Sequence, residues 1–112
     1  MRNVTILEVE TEERDGLVRL ALRGELDLST VGKVQEELRK AESSDAPTVV
    51  LDMSKLTFLD STGLRAVVTA DERLRRQGSR LVIVKGPESV HRVFTITRLE
   101  ERLEIVDDPS EA

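Results

Sequence analysis

The 112-residue chain contains no cysteine, no tryptophan and no tyrosine. Without cysteine, disulfides and thiolate metal sites are excluded, and a reducing, intracellular setting is the simplest reading. Phe58 and Phe94 are the only aromatic residues, so a stacking platform for nucleic-acid bases is implausible. The core must instead be built from Leu, Val, Ile and Ala. A basic excess is also missing: 17 Lys and Arg stand against 22 Asp and Glu, a net charge of −5. That balance argues against direct nucleic-acid binding and suits a basic partner surface better. Long apolar runs are absent as well. The opening "MRNVTILEVETEERDG" has none of signal-peptide length, and nothing later approaches the ~20 residues of a membrane helix. The expectation is a cytoplasmic protein without membrane insertion, folded as one domain over residues 1–112.

What is present reads as alternating strands and helices. "VTILEVE" alternates Val4 and Ile6 against Leu7 and Val9, and a turn at Gly16 leads into "LVRLALRG", with Val18, Leu20 and Leu22 on one face. Val31, Val34, Leu38 and Ala41 then recur at helical spacing behind a candidate cap at Ser29 or Thr30, predicting a helix from about Thr30 to Glu42. Pro47 forbids its continuation. "TVVLDMS" is the kind of run found in a strand buried on both faces. Leu64, Val67, Val68 and Leu74 share a helical face, with Arg65, Asp71, Glu72, Arg73, Arg75 and Arg76 mostly opposite, and Gly78 ends that helix. "RLVIVKG" is a second buried run. Pro87 opens a third helix with Val90, Val93, Phe94 and Thr97 inward. "LEIVDD" reads as a short edge strand, and "PSEA" as a frayed tail. The order β-β-α-β-α-β-α-β predicts an α/β fold: a mixed, mainly parallel sheet with right-handed crossovers and an antiparallel opening hairpin.

Catalytic constellations find little support. His91 is the single histidine; it is expected at the surface, and no serine sits in a G-x-S-x-G elbow. Asp52 and Asp60 are two carboxylates without a further acidic cluster at ligand spacing, so a metal site is not expected. Lys85-Gly86 follows a strand but lacks the phosphate-loop pattern, so the chain is not expected to bind ATP itself. A non-enzymatic protein without a cofactor is the result.

The segment "LTFLDSTGLRAVV" remains. On physical grounds alone, Asp60 or Ser61 caps a helix by accepting from a free amide one turn in, and Gly63 permits close packing. The functional alternative presents Ser61 as a phosphoacceptor. A hydroxyl in the first helical turn is exposed, and a phosphate there meets free N–H groups and the positive end of the helix dipole. About −2 of charge beside Asp60 would then repel a partner rather than disturb the fold.

The run "VVLDMSKLTFLDSTGLRAVV", preceded by "LRGELDLSTVGKV" and followed by "LVIVKGPESVHRVFTITRLEERLEI", resembles the anti-sigma-factor antagonists, single-domain members of the STAS group. The likeness covers nearly the whole chain, and its most specific element is L-D-x-S-x-x-x-x-x-D-S-[ST]-G from Leu51 to Gly63. G-E-L-D, Gly24 to Asp27, is the second. The resemblance implies a small sheet of four to five strands with three to four helices mainly on one side. It implies that Ser61, rather than its neighbour Thr62, is phosphorylated by an anti-sigma factor that is also an ATP-dependent serine kinase, and that a serine phosphatase reverses this. Asp60, Thr62 and Gly63, with Glu25 and Asp27 in the flanking loop, are then the partner-binding residues; a local turn or cap role for Asp27 stands beside this one. Arg65 departs from the small residue common in relatives, and Arg98 from the glycine that usually closes the third helix. Two other functions fit the same fold: a regulatory subunit of a membrane lipid-transport ATPase, and a sensor of a small anionic ligand, for which no specificity pocket is evident.

Overall fold

The computed structural model describes residues 6–111; Val4, at the start of the expected first strand, lies outside them. Strand β1 (Leu7–Arg14) and strand β2 (Leu17–Leu26) form an antiparallel hairpin. Asp15 and Gly16, at φ 49° and 80°, supply the two left-handed residues of its tight turn, the geometry that matches the twist of paired strands. Helix α1 (Val31–Ser43) leads to β3 (Thr48–Leu59), α2 (Ser61–Arg76), β4 (Arg80–Val84), α3 (Glu88–Ile96) and β5 (Glu104–Val106). The five-stranded sheet runs in sequence order, with every pair after the hairpin parallel. The predicted order and mixed sheet are therefore observed.

All three helices pack into one core cluster. Leu20, Leu22, Leu51, Met53 and Ile83 of the sheet meet Val34 and Leu38 of α1, Val67 and Leu74 of α2, and Phe94 of α3 there. Each such fully buried side chain contributes about 1.5–3 kcal/mol of transfer free energy. Val50, Val82 and Val84 project to the opposite face and form a smaller cluster with Leu17 and Val106. Both faces of β4, and of β3 around Val50, are thus apolar, as their β-branched runs require.

Several particulars differ from the sequence reading. The central strand does not stop near Ser54 but continues to Leu59, because register shifts between Ala21 and Arg23 and between Gly24 and Glu25 let it stay paired with the end of β2. Asp71, expected on the solvent face of α2, is buried, with Oδ2 3.0 Å from Nε of Arg75. Thr97 is exposed and does not join the inward stripe; its hydroxyl donates to the Val93 carbonyl at 2.7 Å. His91 is half-buried rather than at the surface, with Nε2 3.1 Å from Glu100 Oε2. Arg98 takes φ 63° where the chain leaves α3, a left-handed position that glycine fills without strain. Pro109–Glu111, part of the segment expected to fray, form a 3-10 turn, and Ala112 lies outside the described residues.

Candidate functional site: the mouth of the second helix

The chain turns from β3 into α2 at Asp60, and this residue is fixed on three sides. Its N–H donates to the Leu26 carbonyl at 3.2 Å, which ties the turn to the end of β2. Its Oδ1 accepts from the Gly63 N–H at 3.0 Å, and Oδ2 from the Leu28 N–H at 3.3 Å. One carboxylate therefore caps α2 and holds the loop before α1. The choice between Asp60 and Ser61 as the cap falls to Asp60.

Ser61 is left as the first helical residue, exposed to solvent. Its hydroxyl makes no hydrogen bond with any described residue. Thr62 is half-buried and Gly63 buried. A Cβ on Gly63 would lie 2.7 Å from Leu26 Cγ and 2.8 Å from Leu59 Cδ1, so this position is glycine because two paired strand ends press on the first turn of α2. Packing thereby places the helix start at a fixed height above the sheet and turns Ser61 outward.

The flanking loop is built around a second carboxylate. Asp27 Oδ1 accepts from the Ser29 hydroxyl at 2.7 Å, the Ser29 N–H at 2.9 Å and the Thr30 N–H at 3.2 Å. The Ser29 hydroxyl above all, with the backbone donors adding to it, holds the Asp27 carboxyl below the usual range against the opposing desolvation. Asp27 thus has the local turn role that the sequence allowed. Thr30, the residue before α1, donates its hydroxyl to the Glu25 carbonyl at 2.8 Å, and Glu25 N–H donates to the Ile6 carbonyl at 3.0 Å. Asp60, Ser61, Thr62 and Gly63 are tied through the Asp60–Leu28 bond to the loop that contains Asp27; Glu25, expected in that loop, is instead a residue of β2, which stays paired with β3 as far as Leu26.

Two apolar residues at this end of the sheet escaped the sequence reading. Leu28 is 74% exposed and Phe58, paired with Glu25, is 47% exposed. Sequence pattern offered a faint signal only for Phe58, which is out of phase with the adjacent inward Leu59; Leu28 is in phase with Leu26 and carried none. The surface around Ser61 thus sets the Asp60 and Asp27 carboxylates beside exposed apolar Leu28 and Phe58, a combination suited to contact with another protein.

Asp52 does not join Asp60. It lies two residues beyond Val50, on the face without helices, and is bonded to the Arg19 guanidinium and to the Ser54 N–H. Burial opposes its ionisation, but the hydrogen bonds from Ser54 and Arg19 outweigh that, and its pKa lies below the ordinary carboxylate value. Among the described residues, no group of three His, Cys, Asp or Glu has the geometry to hold a metal ion.

The fold and this helix mouth define a recognisable class. The STAS domain family model matches residues 8–112, and the chain belongs to that family. The anti-sigma-B factor antagonist of Listeria monocytogenes is 32% identical over 100 residues, covering 88% of each chain. Among solved structures, an anti-sigma factor antagonist from Mycobacterium paratuberculosis superposes with a TM-score of 0.87 at 21% identity, over 95% of this chain and 90% of that one. The Bacillus cell fate determinant SpoIIAA in its phosphorylated form gives a TM-score of 0.72 at 21% identity, over 93% of this chain and 96% of that one.

Proposed function

We propose that the chain is an anti-sigma factor antagonist that works by partner switching, with Ser61 as the phosphoacceptor. In its unphosphorylated form it binds an anti-sigma factor that is also a serine kinase, and the sigma factor is released. Phosphorylation at Ser61 ends that binding, and a serine phosphatase restores it. ATP belongs to the kinase, so this chain needs no cofactor of its own. The exchange takes place in the cytoplasm, where transcription factors are held and released.

The observation that carries this reading is the unengaged Ser61 hydroxyl directly after a cap made by Asp60. Because the cap is independent of Ser61, a phosphate can be added without removing an internal hydrogen bond. The new charge falls beside Asp60 and next to the Asp27 loop, where it would oppose the approach of an acidic or tightly fitted partner group. Switching needs a free-energy difference on the order of 3 to 5 kcal/mol between the two forms. Loss of a desolvated interfacial hydrogen bond together with an unpaired buried charge is of that size.

The test is intact-mass analysis after incubation with ATP and a lysate fraction from the source organism, with Ser61→Ala alongside. One phosphate gained by the wild type and absent from the variant is the expected result. No phosphate on the wild type, with the kinase active on another substrate, would return Asp60–Gly63 to a purely structural role and favour the transport-subunit function.

A further inference from the structure

An acidic chain has an acid-free basic groove beside its helix mouth. Arg39 of α1 and Arg65 and Arg73 of α2 line a cavity of about 130 Å³ between the two helices, with Leu38 and Ala66 among its apolar walls and Thr62 at the end nearest Ser61. No Asp or Glu lines it. Arg19 is matched with Asp52, Arg75 with Asp71 and Arg80 with Glu104, whereas the exposed Arg14, Arg23, Arg76 and Arg92 form no such pair with a described residue. Arg39 and Arg65 likewise form no side-chain hydrogen bond or ion pair with any described residue, but they differ from those four in sharing one cleft with Arg73. Arg73 has only a loose pairing, 3.7 Å from Glu42 Oε2. Two unmatched guanidinium groups in one cleft repel each other, and among the described residues Glu42, beside Arg73, is the one carboxylate paired with any of the three arginines.

We infer that the groove between α1 and α2 receives an acidic segment of a protein partner, with Arg39 and Arg65 as its anchors. The walls fit such a segment: apolar Leu38 and Ala66 take its aliphatic stems, while the guanidinium forks donate to its carboxylates in a bidentate fashion. Continuity with Thr62 makes the groove an extension of the contact at Ser61. Arg65 is also four residues beyond Ser61, so a phosphate there would compete with the acidic segment for the same guanidinium. The inference rests on the partner-switching function only for this last coupling.

A short fluorescein-labelled oligo-glutamate peptide is the probe, used with the full, unmodified chain in an anisotropy titration and in amide chemical-shift mapping. Binding is expected to shift Leu38, Thr62, Ala66 and Thr69 and to weaken about tenfold in the double variant Arg39→Gln, Arg65→Gln. The double variant Arg14→Gln, Arg92→Gln removes the same charge from exposed sites elsewhere and is expected to change affinity less than about twofold. No binding, equal losses in the two double variants, or shifts away from the groove would overturn the inference. Because no modified protein is involved, a chain never phosphorylated at Ser61 would leave this outcome intact, and an unbound peptide would leave the Ser61 proposal intact.

Discussion

Gly63 and Gly32 occupy the first turns of neighbouring helices, and the same substitution is expected to act on them with opposite sign. At Gly63 the added methyl meets Leu26 and Leu59 at less than 3 Å, and both are side chains of the packed core. Gly63→Ala should therefore lose about 1–3 kcal/mol through overpacking. At Gly32 the same methyl has nothing within 4 Å, so Gly32→Ala should gain roughly 0.5 kcal/mol from helix propensity. Urea unfolding of the pair checks both, and a loss at Gly32 would show that backbone conformation rather than space decides there. Asp60→Ala tests the cap in the same assay. It removes acceptors from both Gly63 and Leu28, and a loss of about 1 kcal/mol is expected, the usual value for an N-cap. Ser61→Ala removes no such bond and should leave stability within about 0.5 kcal/mol.

At the scale of strands and helices, two buried carboxylates respond to pH in opposite directions. Asp52 of β3 has its pKa lowered in the native state, so its ionisation stabilises the fold above the unfolded value of 3.8 and that stabilisation is lost as pH falls through the lower native value. Asp52→Asn should cost roughly 1–3 kcal/mol at neutral pH, and the gap to wild type should close in acid. Asp71 of α2 is raised, first by burial, against the pull of Arg75. Its contribution is complete below 3.8 and declines as pH rises through the native value, so Asp71→Asn should become more favourable relative to wild type toward neutral pH. Denaturant midpoints at acidic and neutral pH give both slopes, and equal slopes would refute the assignment. These carboxylates also mark what sequence could and could not convey. Element order was legible because β-branched runs and 3.6-residue spacing are local properties, and a cap at Asp60 or Ser61 was legible because Asp-Ser-Thr-Gly precedes an apolar helical stripe, the choice between the two falling to the fold. Burial of Asp71 was not, since it depends on which charged flank of α2 meets the rest of the chain. The length of β3 was hidden by register shifts that only the pairing with β2 defines. Leu28 and Phe58 read as ordinary apolar residues until the fold set them outside the core.

For the molecule as a whole, the question is whether modification at Ser61 acts through shape or through surface. The helix mouth is held by Asp60, Leu26 and Gly63, and each of these bonds is made without Ser61. The five strands beneath are locked by two apolar clusters whose buried members are at most 9% exposed. A bistable element that a phosphate could tip is not among these contacts, and a change of shape requires one. The added charge has instead a local balance: free first-turn amides and Arg65 favour it, while Asp60 opposes it. Phosphorylation of Ser61 is therefore expected to alter the thermal midpoint by only a few degrees, about the size of a 1 kcal/mol change for a chain of this length. Amide shifts should be confined to Leu28 and Ser61–Arg65, with β4 and β5 unmoved. Comparison of amide spectra for the two forms measures this directly. Shifts that spread into β4 and β5 would mean that the sheet itself carries the signal, whereas a confined pattern means that the partner reads the charge at the surface and the fold serves to hold it in place.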